Sequence, residues 1–275
     1  MKCGIYISNY ALKGEPEKFV KLARIAEEAG WQGFFMWDHV YPRGGKSKFV
    51  ADPWITLAAI AATTSTIRIG TTVTPLPRRR PQKVAREVAT LDRLSGGRFT
   101  LGVGLGHPPD CEFEFFGEDP GLRIRAEKLD ESLEILDGLW SGKPFSFSGK
   151  HYHMETVTFK PRPVQRPRVP IWCGGWWPKK APFRRAARYD GVFPLGEKDK
   201  LKPKDFRDIL DYVKEHRKTK GRFDLVLLGR SRGDPHHDSW IKDYEDAGAS
   251  WFVELIMGAD YDKYAERISK GPPSQ

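Results

Sequence analysis

Short apolar runs and amphipathic stretches alternate along this chain in a regular order. Residues 3–7, 33–37 and 67–73 are apolar or β-branched runs of strand length. Between them, residues 15–29 carry Phe19, Leu22, Ala23 and Ala26 at helical spacing, with Gly30 as a stop. Residues 53–64 read as a second helix, with Pro53 suited to its first turn. The same alternation continues with a helix over 81–94, a strand over 99–103 and a long helix over 123–140, where Leu129, Leu133, Leu136 and Trp140 share a face. Regularity then breaks. Residues 141–168 are rich in Pro, Gly and aromatics and contain an alternating pattern that predicts a small hairpin turning near Gly149. Strands over 171–174, 191–194, 225–229 and 251–255 follow, each trailed by a helix, over 181–188, 203–218, 239–247 and 261–269.

Eight strand–helix units in succession imply parallel pairing, because parallel neighbours need a crossover. The expected fold is α/β, a single (β/α)8 TIM barrel over residues 1–270 with a small insertion after the fourth helix; residues 271–275 form a flexible tail. A length of 275 residues suits one such barrel. The rival is a doubly wound open sheet.

Composition narrows the class. Hydrophobic residues at 39% and charged residues at 30% describe an ordinary globular chain with material for one large core. No apolar run is long enough to span a bilayer, and the start reads as a strand, not a signal peptide. Cys3, Cys111 and Cys173 form no Cys-x-x-Cys pair, which argues against a disulfide framework or a thiolate metal site and for a reducing cytoplasm. The formal charge of +10 raises the question of nucleic acid, but no helix-turn-helix, finger or stacking-sheet signature accompanies it. Neither nucleic acid nor membrane is expected as a partner.

In such a barrel the chemistry lies at the C-terminal ends of the strands. After the second strand stand Asp38 and His39, a hydrogen-bonding carboxylate beside a group that exchanges protons near neutral pH. On the dipeptide alone, a capping aspartate and an ordinary loop histidine fit better. After the third strand, Thr72, Val73 and Thr74 precede Pro75, an ordinary strand end or a pocket wall. After the fourth, Gly102, Gly104 and Gly106 precede His107; glycines let a flat ligand approach the backbone, and the spacing is not the dinucleotide fingerprint. After the fifth, Gly174, Gly175 and Trp176 run toward a helix and read as a turn with exposed amides, an anion site helped by Lys179, Lys180 and Arg184. His151 and His153, on the hairpin, and His236 and His237, in a loop, lack carboxylates at metal-ligand spacing, so no metal is expected.

Taken in order, these segments resemble the luciferase-like family of flavin-dependent oxidoreductases. The carriers are Trp37-Asp38-His39, residues 69–75, Gly97-Arg98-Phe99 through Gly104-Leu105-Gly106, residues 171–175, and 187–192; the likeness runs over residues 1–254. The resemblance implies a barrel that binds FMN or the deazaflavin coenzyme F420 across its mouth. It implies Asp38 and His39 facing the redox ring as catalytic groups. It also implies a non-proline cis peptide near Thr72-Val73, and the cofactor phosphate and ribityl chain near Gly174, Gly175 and Trp176. Thr72, Val73, Gly104, Gly106 and His107 complete the implied cofactor pocket. Some deazaflavin-dependent sugar dehydrogenases of the family carry a glutamate where this chain has His107, which puts their mechanism in doubt here.

The function so implied is hydride transfer to, or monooxygenation of, a small organic substrate, with a non-catalytic flavin-binding protein as the alternative. The run Arg78-Arg79-Arg80 favours F420, whose tail is anionic, if that loop folds over the mouth. A homodimer is expected from the resemblance.

Overall fold

The computed structural model describes residues 1–41, 49–197, 199–232 and 238–273. Its strands are β1 (Lys2–Ile7), β2 (Gly33–Met36), β3 (Arg68–Pro75), β4 (Phe99–Gly104), β5 (Pro144–Ser148), β6 (His153–Thr158), β7 (Ile171–Trp177), β8 (Gly191–Gly196), β9 (Asp224–Gly229) and β10 (Trp251–Ile256). Eight of them close a parallel barrel in chain order, β1-β2-β3-β4-β7-β8-β9-β10, and β10 pairs back onto β1. The open-sheet alternative is thereby removed. The remaining two, β5 and β6, form the antiparallel hairpin outside the barrel that the irregular stretch implies.

Among the described residues the helices are α1 (Pro16–Glu28), α2 (Pro53–Thr63), α3 (Pro81–Leu94), α4 (Pro109–Glu112), α5 (Leu122–Trp140), α6 (Lys180–Ala186), α7 (Pro203–His216), α8 (Trp240–Asp246) and α9 (Tyr261–Ser269). None is long and apolar enough to cross a membrane. Pro opens α1, α2, α3 and α7, where a missing N–H costs nothing and the fixed φ suits the first turn. Asp52 caps α2 by accepting from the Ile55 amide at 2.8 Å. The short α4 was not expected, since four residues carry no periodicity to read.

The strands are apolar on both faces because both faces are buried. Ile5, Ile7, Phe34 and Met36 pack outward against the helices. Their neighbours Tyr6 and Phe35 point inward with Trp172, Phe193, Val226, Trp251 and Val253. Near the strand N-termini, Phe35, Trp172 and Trp251 meet in a triangle with ring centroids 5.0–5.5 Å apart. Above them Tyr6 contacts Phe193 and Trp37 and forms the floor of the mouth.

Two boundaries differ from expectation in ways that matter. β7 was expected to end at Gly174, with Gly174, Gly175 and Trp176 in a turn. It continues to Trp177 because Gly174, Gly175 and Trp176 stay in register with Phe193, Pro194 and Leu195 of β8. A Gly-Gly pair reads as a break, but a strand tolerates it when its neighbour runs equally far. Residues 271–273, expected as loose tail, are tied in: Arg267 Nη1 donates to the Gly271 carbonyl at 2.9 Å and Pro273 is buried. The three cysteines are buried and form no disulfide with one another, and burial pushes the Cys173 thiol up to about 12.

Candidate active site

A cavity of ≈ 630 Å³ opens at the C-terminal ends of β1, β2, β3, β4, β7 and β8. All the expected site residues line it: Asp38, His39, Thr72, Val73, Gly104, Gly106, His107, Gly174, Gly175 and Trp176. Tyr6, Tyr10, Phe193 and Arg125 join them. Burial, with a smaller push from Tyr10, raises the Tyr6 phenol, and burial raises Tyr10; both present neutral hydroxyls at neutral pH.

The β2–β3 side of the wall is built on a chain of ionic hydrogen bonds. Asp38 is 4% exposed. Its Oδ2 accepts from Trp54 Nε1 and Thr74 Oγ1, both at 2.8 Å, and its Oδ1 accepts from Arg78 Nη2 at 2.8 Å. Burial opposes the charge of this carboxyl, but Arg78 and Arg79 outweigh burial and hold it below the ordinary aspartate value. Arg78 Nε then donates to Glu112 Oε2 at 2.8 Å, and Glu112 Oε1 lies 2.6 Å from His39 Nδ1. Glu112 has no exposed side-chain surface, whereas His39 keeps 21%. Asn9 grips the His39 backbone from both sides, donating to its carbonyl at 2.9 Å and accepting from its amide at 3.4 Å.

This geometry corrects the reading of the arginine run. Arg78 is buried in the Asp38–Glu112 chain. Arg79 pairs with Glu87 at 2.7 Å and lies 4.8 Å from the Trp54 ring. Two of the three guanidiniums therefore face inward, because buried carboxylates require partners, and Arg80 alone stays exposed.

The β4–β7 side is shaped by one side chain. β3 carries an extra residue against β4 between Thr71 and Thr74, and the Thr72-Val73 peptide is cis, as the resemblance implies. Val73 fits there because its neighbours lack Cβ atoms. A Cβ on Gly104 would stand 2.5 Å from Val73 Cγ2, and one on Gly174 would stand 2.9 Å from Val73 Cγ1. Close approach of Val73 thus accounts for both glycines, of which Gly104 was expected to admit a flat ligand and Gly174 to belong to an anion-binding turn. Arg125 of α5 supports the loop after β4, donating to the Leu105 and Gly106 carbonyls at 3.1 and 2.7 Å. His107 is exposed, 5.8 Å from the Trp176 ring.

The expected anion site is not a glycine turn, since Gly174 and Gly175 lie inside β7. Its cations are divided. Lys179 lines the cavity and pairs with Glu197 at 2.8 Å, and Lys180 lies 3.8 Å over the Trp177 ring. His151 is bound to Glu127 on the hairpin side, away from the cavity. His236 and His237 lie outside the described residues.

The wall fits a flat heteroaromatic cofactor with polar edges. Thr72 Oγ1 and Trp37 Nε1, both on cavity-lining residues, are buried without hydrogen-bond partners. Buried donors are seldom left so, and acceptors on a bound ring would complete them. Sequence reasoning missed Glu112, Arg125 and Tyr6. Glu112 sits in an irregular acidic and aromatic stretch where no spacing marks it.

Comparison with known proteins agrees with this geometry. Residues 1–231 match the family model described as luciferase-like monooxygenase. An uncharacterised protein of Mycobacterium tuberculosis is 31% identical over 271 residues, covering 91% of this chain and 90% of its own length. The F420-dependent glucose-6-phosphate dehydrogenase of Microbacterium testaceum is 31% identical over 236 residues, covering 82% of this chain and 67% of that protein. Among solved structures, an F420-dependent secondary alcohol dehydrogenase bound to an F420-acetone adduct superposes with a TM-score of 0.80 at 19% identity, over 99% of this chain and 98% of that one. The chain belongs to the luciferase-like monooxygenase family, whose members are oxidoreductases that use coenzyme F420 or FMN.

Proposed function

We propose that this protein is a coenzyme F420-dependent oxidoreductase acting on a small organic alcohol or carbonyl compound. The observation that carries the proposal is His39, a proton-exchanging group set in the wall of the mouth cavity and anchored from behind by buried charge. When bound, the cofactor supplies hydride transfer. The protein's own task is then to bind, orient and move one proton. Thr72, Val73, Gly104, Gly106, Gly174, Gly175 and Trp176 would hold the ring system and its chain, with His107 at the rim. His39 takes the hydroxyl proton of an alcohol, or returns it to a carbonyl oxygen. Asp38 orients the His39 peptide through Arg78, which also binds the Asp38 carbonyl at 2.6 Å.

Two things favour the deazaflavin. The Microbacterium relative is named for F420. Arg80 is an exposed cation just beyond β3, and Lys179, paired with Glu197, stands exposed on the cavity wall; both are placed to meet an anionic tail. The sugar-phosphate substrate of that relative is not carried over, because His107 replaces the glutamate found in some sugar dehydrogenases.

The test is separate titration of the purified protein with F420 and with FMN, followed by absorbance and fluorescence. Micromolar or tighter binding of F420 alone is expected. Binding of FMN alone would replace the deazaflavin and admit oxygen-using chemistry beside hydride transfer, and a folded protein that binds neither would overturn the proposal.

A further inference from the structure

Behind His39 lies buried charge: Glu112, with no exposed side-chain surface, and Arg78 beyond it. We propose that Glu112 is a positioning residue that fixes His39 as the Nδ1–H tautomer, so that Nε2 is the proton-accepting atom turned to the cavity. This rests on the reading of His39 as the proton carrier, and deepens it.

A neutral imidazole carries a single proton, on either nitrogen, and the hydrogen bond made by one nitrogen decides which atom the other presents. His39 Nδ1 lies 2.6 Å from Glu112 Oε1. Two arrangements satisfy that contact: Nδ1–H donating to a carboxylate, or a protonated Glu112 donating to a bare Nδ1. Arg78 discriminates between them. Its Nε donates to Glu112 Oε2 at 2.8 Å, which sets a guanidinium against a buried carboxyl and favours the ionised, acceptor-only form. Nδ1 must then be the donor. The same arginine is held by Asp38 on its other side, so the charges alternate along the chain Asp38–Arg78–Glu112 and end at His39. Once His39 gains a proton at Nε2, Glu112 is already placed to stabilise the imidazolium.

Nε2 is the nitrogen left for substrate. Among the described residues it has no hydrogen-bond partner, whereas Nδ1 points at a side chain with no exposed surface. The ring stands between Trp37 and Tyr10, with centroids 5.4 and 6.0 Å away, and Asn9 grips the peptide. A flip of the ring about its Cβ–Cγ bond would set Cδ2 in the place of Nδ1 against a buried carboxylate and lose the charge-assisted bond.

The test is a multiple-bond 15N–1H spectrum of histidine-labelled protein, recorded well above the ordinary imidazole pKa of about 6.5. His39 is assigned by comparison with His39→Ala. The native protein is expected to show a protonated Nδ1 and a bare Nε2. In Glu112→Gln the carboxamide N–H can donate to Nδ1, and the Nε2–H tautomer should appear, with kcat lower by about 100-fold, the low end for a positioned proton carrier, and cofactor affinity little changed. Glu112→Asp, which keeps a carboxylate, should recover part of kcat and restore the native tautomer.

A native Nε2–H tautomer would overturn the proposal, as would a Glu112→Gln spectrum identical to the native one. If Glu112→Gln does not fold, the native spectrum still decides. These spectra need neither cofactor nor turnover. A failure here therefore leaves the proposed function standing, and a failure to bind F420 leaves the tautomer standing.

Discussion

The two sides of the barrel mouth are built on different physics. On the β2–β3 side, charges are buried and chained: Asp38 and Glu112 each accept from Arg78 at 2.8 Å, and the chain ends at His39. On the β7–β8 side, charges are exposed and paired singly. Lys179 and Glu197 are 59% and 44% exposed. A buried chain of this kind holds geometry, because each member removed leaves another charge unpaired in a poor solvent. An exposed pair holds little, because water and salt screen it. The contrast suggests a division of labour: one wall fixes a proton carrier, and the other meets a charged, variable part of a ligand.

The largest effect expected from breaking the rigid side is chemical. His39→Ala should lower turnover by roughly 10²–10⁴-fold, the range for a positioned acid–base group, while the thermal transition stays near that of the native protein. Steady-state kinetics on the F420-loaded enzyme checks this; unchanged turnover would remove His39 from the mechanism. Next in size is a loss of stability. Asp38→Asn keeps the shape but leaves Arg78 short of one charge, and should cost roughly 3–5 kcal/mol in urea unfolding. The pH dependence follows from the depressed Asp38 value. The stability contributed by its ionised form is complete above the ordinary aspartate pKa of about 3.9 and is lost as pH falls toward the lower folded-state value. The native protein should weaken over that acid range, and the asparagine variant should weaken less. A cost below about 1 kcal/mol would make the β2–β3 wall no firmer than a surface pair.

How far the sequence disclosed this contrast depends on the range of the interactions. The helix faces of α1 and α5 were legible because their apolar spacing is local, and the barrel followed from counting alternations. The hairpin of β5 and β6 was legible from its own alternation and from Gly149. The ionic chain was not, since His39 and Glu112 are 73 residues apart and Arg78 and Glu112 are 34 apart. Charge runs also mislead about direction: Arg78, Arg79 and Arg80 are consecutive, yet two turn inward to carboxylates that no local pattern announces. The β7 end was misjudged for a related reason. Whether Gly174 and Gly175 form a turn or a strand is decided by β8, a neighbour in space supplied by a later segment. Resemblance named residues that share one cavity without any of this, because it matches positions and not contacts.

The smallest expected effect tests the adjustable side, and its sign is the informative part. Lys179 and Glu197 neutralise each other at the cavity rim. Removing Lys179 leaves a net negative rim, which repels an anionic tail. Removing the charge of Glu197 leaves a net positive one, which attracts it. Lys179→Ala and Glu197→Gln should therefore shift F420 affinity in opposite directions, each by up to about 1 kcal/mol, or roughly fivefold. Both shifts should shrink between low salt and 1 M salt, where the Debye length falls to about 3 Å. Stability should change by no more than about 0.5 kcal/mol in either variant. Isothermal titration at two ionic strengths separates the outcomes. Shifts of the same sign, or shifts that ignore salt, would mean that the tail lies elsewhere on the rim. The β7–β8 wall would then be a packing surface rather than an electrostatic one.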